Sequence, residues 1–145
     1  MNTPRIIRGA CLCEAVRFEV DPPTRWCAHC HCTMCRRAHG SAVVTWFGAH
    51  STSFRLTAGE EQLQWYRSSP SARRGFCARC GSTLFFEGER WPGEIHIVRA
   101  NVPGEIDREP QAHVFYDLRV TWLDLHDELK KLGGPEGNQP LPGGG

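Results

Sequence analysis

Eight cysteines fall into three tight groups, Cys11/Cys13, Cys27/Cys30/Cys32/Cys35 and Cys77/Cys80. Their even number would suit a disulfide framework. Gaps of one or two residues, however, suit chelation far better than cross-linking, and a reducing compartment turns such clusters into metal ligands or reactive thiols. Cys77-Ala78-Arg79-Cys80-Gly81 has the form of a zinc knuckle. Two intervening residues let a tight turn aim both sulfurs at one ion, and glycine after the second cysteine permits a positive φ. A knuckle supplies two of the four ligands zinc takes. Cys11-Leu12-Cys13 can supply the others, because residues i and i+2 of an extended chain point to the same side. The expectation is a closed Cys₄ site, structural in role, built from Cys11, Cys13, Cys77 and Cys80.

The middle group, WCAHCHCTMC over residues 26–35, offers more soft ligands than one ion can hold. By parity Cys30 and Cys32 share a side, and Cys32-Thr33-Met34-Cys35 makes a second knuckle-like turn. Three thiolates and one open position form the arrangement of a catalytic zinc. Cys27 points the opposite way on a continuous strand, so it becomes a fourth ligand only if the chain turns between 27 and 30. Otherwise it is a buried thiol behind the site. His29 and His31 are expected to face away from the ion, His31 with a satisfied hydrogen bond. His39 is the candidate proton shuttle, with His113 a weaker candidate partner. Arg36 and Arg37 are candidates to bind a substrate carboxylate, since a guanidinium is a fixed fork suited to that geometry.

The elements that must position these residues read mostly as strands. AVRFEV (15–20) alternates, with Val16, Phe18 and Val20 on one face, and Asp21-Pro22-Pro23 stops it. SAVVTWF (41–47) is rich in β-branched and aromatic residues. SFRLT (53–57) and QLQWYRS (62–68) flank a turn at residues 58–61 and suggest a hairpin. STLFFEGE (82–89) pairs with EIHIVRANV (94–102), and HVFYDLRVTW (113–122) continues the pattern. Helix is expected in only two places, residues 33–39 and the amphipathic stretch 123–132. Trp26, Trp46, Phe47, Trp65, Tyr66, Phe85 and Phe86 read mostly as core. One zinc-binding domain over residues 1–132 and a disordered Gly/Pro-rich tail over 133–145 complete the expected organisation.

Composition narrows the function classes. The 145 residues suffice for one compact domain, and the formal net charge of +1 gives no electrostatic reason for nucleic acid or an anionic membrane. The start of the chain has no signal-like apolar core, and no stretch approaches the roughly 20 apolar residues of a membrane span. A cytoplasmic protein is expected, its oligomeric state unread.

Together GACLCEAV, HCHCTMCRRAHG and FCARCGSTLFF resemble the glutathione-dependent formaldehyde-activating enzyme family, which also contains centromere protein V. The resemblance covers about residues 5 to 123, with the three cysteine motifs in the family's order and spacing. It implies a β-tent of several coiled antiparallel sheets. It also implies a structural zinc on Cys11, Cys13, Cys77 and Cys80 and a second zinc, associated with substrate, on Cys30, Cys32 and Cys35. The implied activity is that of a carbon–sulfur lyase joining glutathione and formaldehyde into S-hydroxymethylglutathione. Two zinc ions per chain are expected, the second labile. Glu14 departs from the glycine that often follows the first motif, and Cys27 is additional to the seven ligands.

Three other readings compete. A non-catalytic binding module would follow if Cys27 completed the second site. A thiol–disulfide protein would use Cys27/Cys30 or Cys32/Cys35, but such pairs work beside a helix N-terminus. A nucleic-acid module finds only the small clusters Arg36-Arg37, Arg73-Arg74 and Arg79.

Overall fold

A computed structural model describes residues 5–142. Its strands run in chain order as β1 (Ile7–Ala10), β2 (Arg17–Val20), β3 (Trp26–Cys30), β4 (Val44–His50), β5 (Phe54–Ala58) and β6 (Leu63–Ser69). They continue as β7 (Ala72–Cys77), β8 (Thr83–Gly88), β9 (Glu94–Val98), β10 (Ala112–Val114), β11 (Lys130–Gly133) and β12 (Gln139–Pro140). A single α-helix among the described residues, α1, spans Thr33–His39. The molecule is mainly β, as its alternating pattern requires.

Two compact units divide the chain, one from residues up to Trp26 with Phe47–Arg108, the other from Cys27–Trp46 with residues from Glu109 onward. In the first unit β1, β2 and β5 form a three-stranded antiparallel sheet. The end of β4 lies beside β9, followed in order by β8, β7 and β6, and the β9–β8, β8–β7 and β7–β6 pairs are antiparallel. Phe18 and Val20 of β2 are buried while Arg17 before them is exposed and Glu19 between them is half-buried, so the alternation in the sequence is the alternation of the pleat. Phe18 and Phe54 meet Phe85 edge-on at ring separations of 5.2 and 5.0 Å, a favoured aromatic geometry that fastens the unit's two sheets. In the second unit β10 lies parallel between β3 and β11, and β12 pairs antiparallel with β11.

Several expectations change. Residues 53–57 and 62–68 are strands but not a hairpin: β5 pairs with β2 and β6 with β7. Gly59, at φ +83°, lies against the Ala15 carbonyl and sends the chain through a 3-10 turn to the other sheet. Residues 123–132 form no helix. The stretch is irregular up to Leu129 and then enters β11, because pairing with β10 and the Asp127 side-chain bonds outweigh helix propensity. Of residues 113–122 only the first two join a strand, and a 3-10 turn follows at Tyr116–Leu118. The tail expected to be disordered carries β12, with residues 143–145 outside those described. Tyr66 is 66% exposed and is not core.

Candidate metal centres

The first centre lies in the first unit. The sulfurs of Cys11, Cys13, Cys77 and Cys80 all lie within 4.8 Å of one another, with Cys11–Cys13 at 3.6 Å and Cys13–Cys77 at 3.8 Å. A tetrahedral metal with bonds to sulfur of about 2.3 Å places neighbouring sulfurs about 3.8 Å apart, so the set fits one ion. Local backbone chemistry explains the convergence. The Cys77 N–H donates to Ser82 O at 2.9 Å and the Gly81 N–H to Cys77 O at 2.7 Å, closing the knuckle turn. Gly81 sits at φ +80°. On the facing segment Cys11 N and Val16 O close a loop at 3.0 Å, and the Val16 N–H donates to Cys11 Sγ at 3.3 Å. Ser82 Oγ accepts the Leu12 N–H at 2.8 Å and lies 3.2 Å from Cys80 Sγ. That hydroxyl, ahead of other contacts, lowers the Cys80 thiol to about 5, which favours the thiolate a metal takes.

The second set lies in the second unit, where β3 runs straight into the start of α1. Cys32 keeps an extended backbone at φ −56° and ψ 134°, and the Arg36 N–H donates to Cys32 O at 2.9 Å to open the helix. Gly40, left-handed at φ 59°, ends it. Cys30 and Cys35 thiols stand 3.6 Å apart, both buried. Contacts with Cys30 and then Cys35 lower the Cys32 thiol, helped by the Met34 and Cys35 amides, while the same contacts and burial raise Cys30. One thiolate is thus stabilised by two thiols. Among the described residues no other set of three or more His, Cys, Asp or Glu matches the mutual 4.8 Å spacing of the first centre. This second set is looser.

Around it the other candidates separate. Cys27 is buried on the same continuous strand as Cys30, three residues earlier and so on the opposite face, its amide 3.3 Å from Gln111 Oε1. Arg36 is half-buried and donates to His31 O, Thr33 Oγ1 and Leu118 O at 3.2–3.3 Å, while Arg37 is exposed. His39 is half-buried, one helical turn from Cys35 on the same face, with its ring edge-on to Trp46 at 5.2 Å.

His29 bonds Thr45 Oγ1 at 2.8 Å through Nδ1, and burial lowers its pKa. His31 is 3% exposed, and burial pushes its pKa down to about 4. Its Nε2 meets His113 Nδ1 at 2.9 Å, while its Nδ1 has no hydrogen-bond partner, so the satisfied histidine expected there is only half satisfied. His113 Nε2 lies 2.8 Å from Asp127 Oδ2, and that contact lowers the Asp127 carboxyl. Asp127 was hidden from the sequence by the helical look of 123–132.

A β fold that gathers four of its eight cysteines into a tight set able to hold one ion, with a looser triad elsewhere and Cys27 apart, defines the class of candidate thiolate metal-site proteins. The chain belongs to the glutathione-dependent formaldehyde-activating enzyme family, whose model it matches over residues 6–118. A Halomonas elongata protein provisionally named a glutathione-dependent formaldehyde-activating enzyme is 27% identical over 128 residues, 83% of this chain and 81% of that one. An uncharacterized lyase of Schizosaccharomyces pombe is 37% identical over 81 residues, 54% of this chain and 55% of that one. A crystal structure of a Rhodobacter sphaeroides protein aligns with TM-score 0.59 and 27% identity, covering 70% of this chain and 92% of that one.

Proposed function

We propose that the chain uses zinc to join a small-molecule thiol to an aldehyde, as in S-hydroxymethylglutathione from glutathione and formaldehyde, and to reverse that step as a carbon–sulfur lyase. Family membership over residues 6–118 carries the reading. Cys11, Cys13, Cys77 and Cys80 hold a structural zinc, and Cys30, Cys32 and Cys35 hold a second. Held by these three thiolates, zinc would supply the charge that depresses the pKa of a bound substrate thiol. Cys27 stays out of the set because its strand does not turn.

The chain's other residues bind the thiol substrate and manage one proton. Substrate sulfur donates an electron pair to the aldehyde carbon and a carbon–sulfur bond forms. The carbonyl π pair moves to oxygen, and the proton lost by the thiol ends on that oxygen. His39, on the Cys35 face of α1, is the proton carrier, and Arg37 is the carboxylate partner because Arg36 already bridges α1 to Leu118 O.

Exchange NMR on formaldehyde and glutathione with the zinc-loaded protein tests this. Cys35→Ser is expected to lower the enzyme-dependent exchange rate about tenfold or more while the four-cysteine ion stays bound. A wild-type rate equal to the uncatalysed background would favour the non-catalytic module instead, a reading that the looser spacing of the second set keeps open.

A further inference from the structure

In the first unit a cleft of about 420 Å³ opens between the two sheets, and no cysteine lines it. Its walls come from the strands that end those sheets, Phe54 and Leu56 of β5 on one side, Leu63 and Trp65 of β6 on the other. Both walls rest on the buried Phe85 ring, which Phe54 meets edge-on at 5.0 Å and Trp65 at a tilt at 6.3 Å. The turn that begins at Gly59 joins the two strands and brings Glu60 to the cleft. All four wall side chains are half-buried, so apolar surface stays in contact with water there. A ligand that covers it gains hydrophobic free energy. Small-molecule sites span about 300–1,000 Å³, with apolar walls and a few polar groups, and this cleft has that size and lining.

Charge decides what such a ligand carries. The ionisable side chains of the lining are Glu60, Arg73 and Glu87. Arg73 is already engaged: its Nε and Nη2 donate to Glu87 Oε1 at 2.9 and 2.6 Å, and its guanidinium lies 3.9 Å from the Trp65 ring centre. That pair carries no net charge, so Glu60 leaves the lining negative. The neighbouring arginines do not cancel it. Arg55 alternates to the opposite face of β5, where it bonds Glu19 and Asp21. Arg67, two residues beyond Trp65 on β6, is outside the lining and donates to Pro70 O at 3.2 Å. Apolar walls with one negative charge at the rim suit an apolar body that bears a cation.

We propose that this cleft binds a small organic amine, its apolar body between the β5 and β6 walls and its protonated nitrogen beside Glu60. Glutathione is net anionic and is disfavoured here, so the site is separate from the thiol chemistry and stands or falls without it. The alternative is a solvent-filled gap between two sheet edges, which would take up an apolar molecule without regard to its head group.

Methyl NMR of the full, metal-loaded chain, titrated with phenethylamine, with the neutral phenethyl alcohol and with the anionic hydrocinnamate, separates the two. Signals of the lining residues Leu56, Leu63 and Ile95 should shift with the amine and the alcohol, which share the same apolar body. The amine should bind about fivefold more tightly than the alcohol, the upper worth of one exposed ion pair, and added salt should erode that preference. Glu60 is exposed, so its variants should keep the wild-type spectrum away from the cleft. Glu60→Gln should bring the two affinities together, and Glu60→Lys should make hydrocinnamate a tighter ligand than the amine. Shifts confined to other methyl groups, no shift with any of the three compounds, equal affinities of amine and alcohol in the wild type, or a preference that survives Glu60→Gln would each overturn the proposal.

Discussion

Glu14 occupies a left-handed backbone at φ 63°, directly after the Cys11-Leu12-Cys13 ligand pair. A side chain there pays for Cβ crowding that glycine avoids, and the exposed Arg17 contact at 3.9 Å offers little in return. Glu14→Gly should therefore stabilise the protein by about 0.5–1 kcal/mol, read from denaturant unfolding of the metal-loaded form. A loss of stability would mean that the Glu14 side chain matters more than its backbone. Cys77 is the opposite case, a fully buried residue in the four-sulfur set that could hold one ion. Cys77→Ser should remove one metal per chain and lower the unfolding free energy by on the order of 3 kcal/mol or more. Metal analysis alongside the unfolding curve checks both parts, and an unchanged metal content would remove the structural role assigned to this set.

At the level of elements, Gly59 decides which sheet the chain enters. Its φ of +83° and its contact with the Ala15 carbonyl leave no room for a side chain. Gly59→Ala should cost about 2–4 kcal/mol, since both strain and overlap with backbone must be relieved. Thermal unfolding measures it, and a cost below experimental error would mean that the β5–β6 connection is malleable. The same glycine shows where the sequence stops being readable. The alternation of Val16, Phe18 and Val20, the helix from Thr33 to His39 and the β8–β9 pairing follow from local period and turn chemistry. The partners of β5 do not, because a Gly-containing turn between two strands looks alike whether it closes a hairpin or crosses between sheets. The four-sulfur set was readable because each half is a short motif, although Cys11-Leu12-Cys13 converges through a turn closed from Glu14 N–H to Cys11 O and not through the strand parity expected of it. Asp127 was not, because its bond to His113 and the β10–β11 pairing are long-range contacts that override an amphipathic helical pattern.

For the whole molecule, buried histidines set the acid side of its stability. Burial, ahead of its bond with Glu94, lowers the His96 pKa from 6.5. As pH falls below about 6.5 the unfolded chain takes up this proton before the folded one, so stability present above that value is lost on acidification. Metal thiolates lose stability in the same direction, so the histidine share has to be isolated. His96→Gln should flatten the change in unfolding free energy between pH 7.5 and 5.5 in urea titrations, the direction being fixed by linkage. An unaltered slope would remove His96 from the acid response. The proposed function divides labour between a tight four-sulfur site and a looser three-sulfur one. Zinc content followed through a chelator time course, with glutathione–formaldehyde exchange recorded at each point, tests it most directly. The account predicts two zinc ions per chain, with exchange activity disappearing alongside the first to leave while the fold persists. A single zinc with all eight thiols accounted for, or activity that outlasts the first loss, would contradict it.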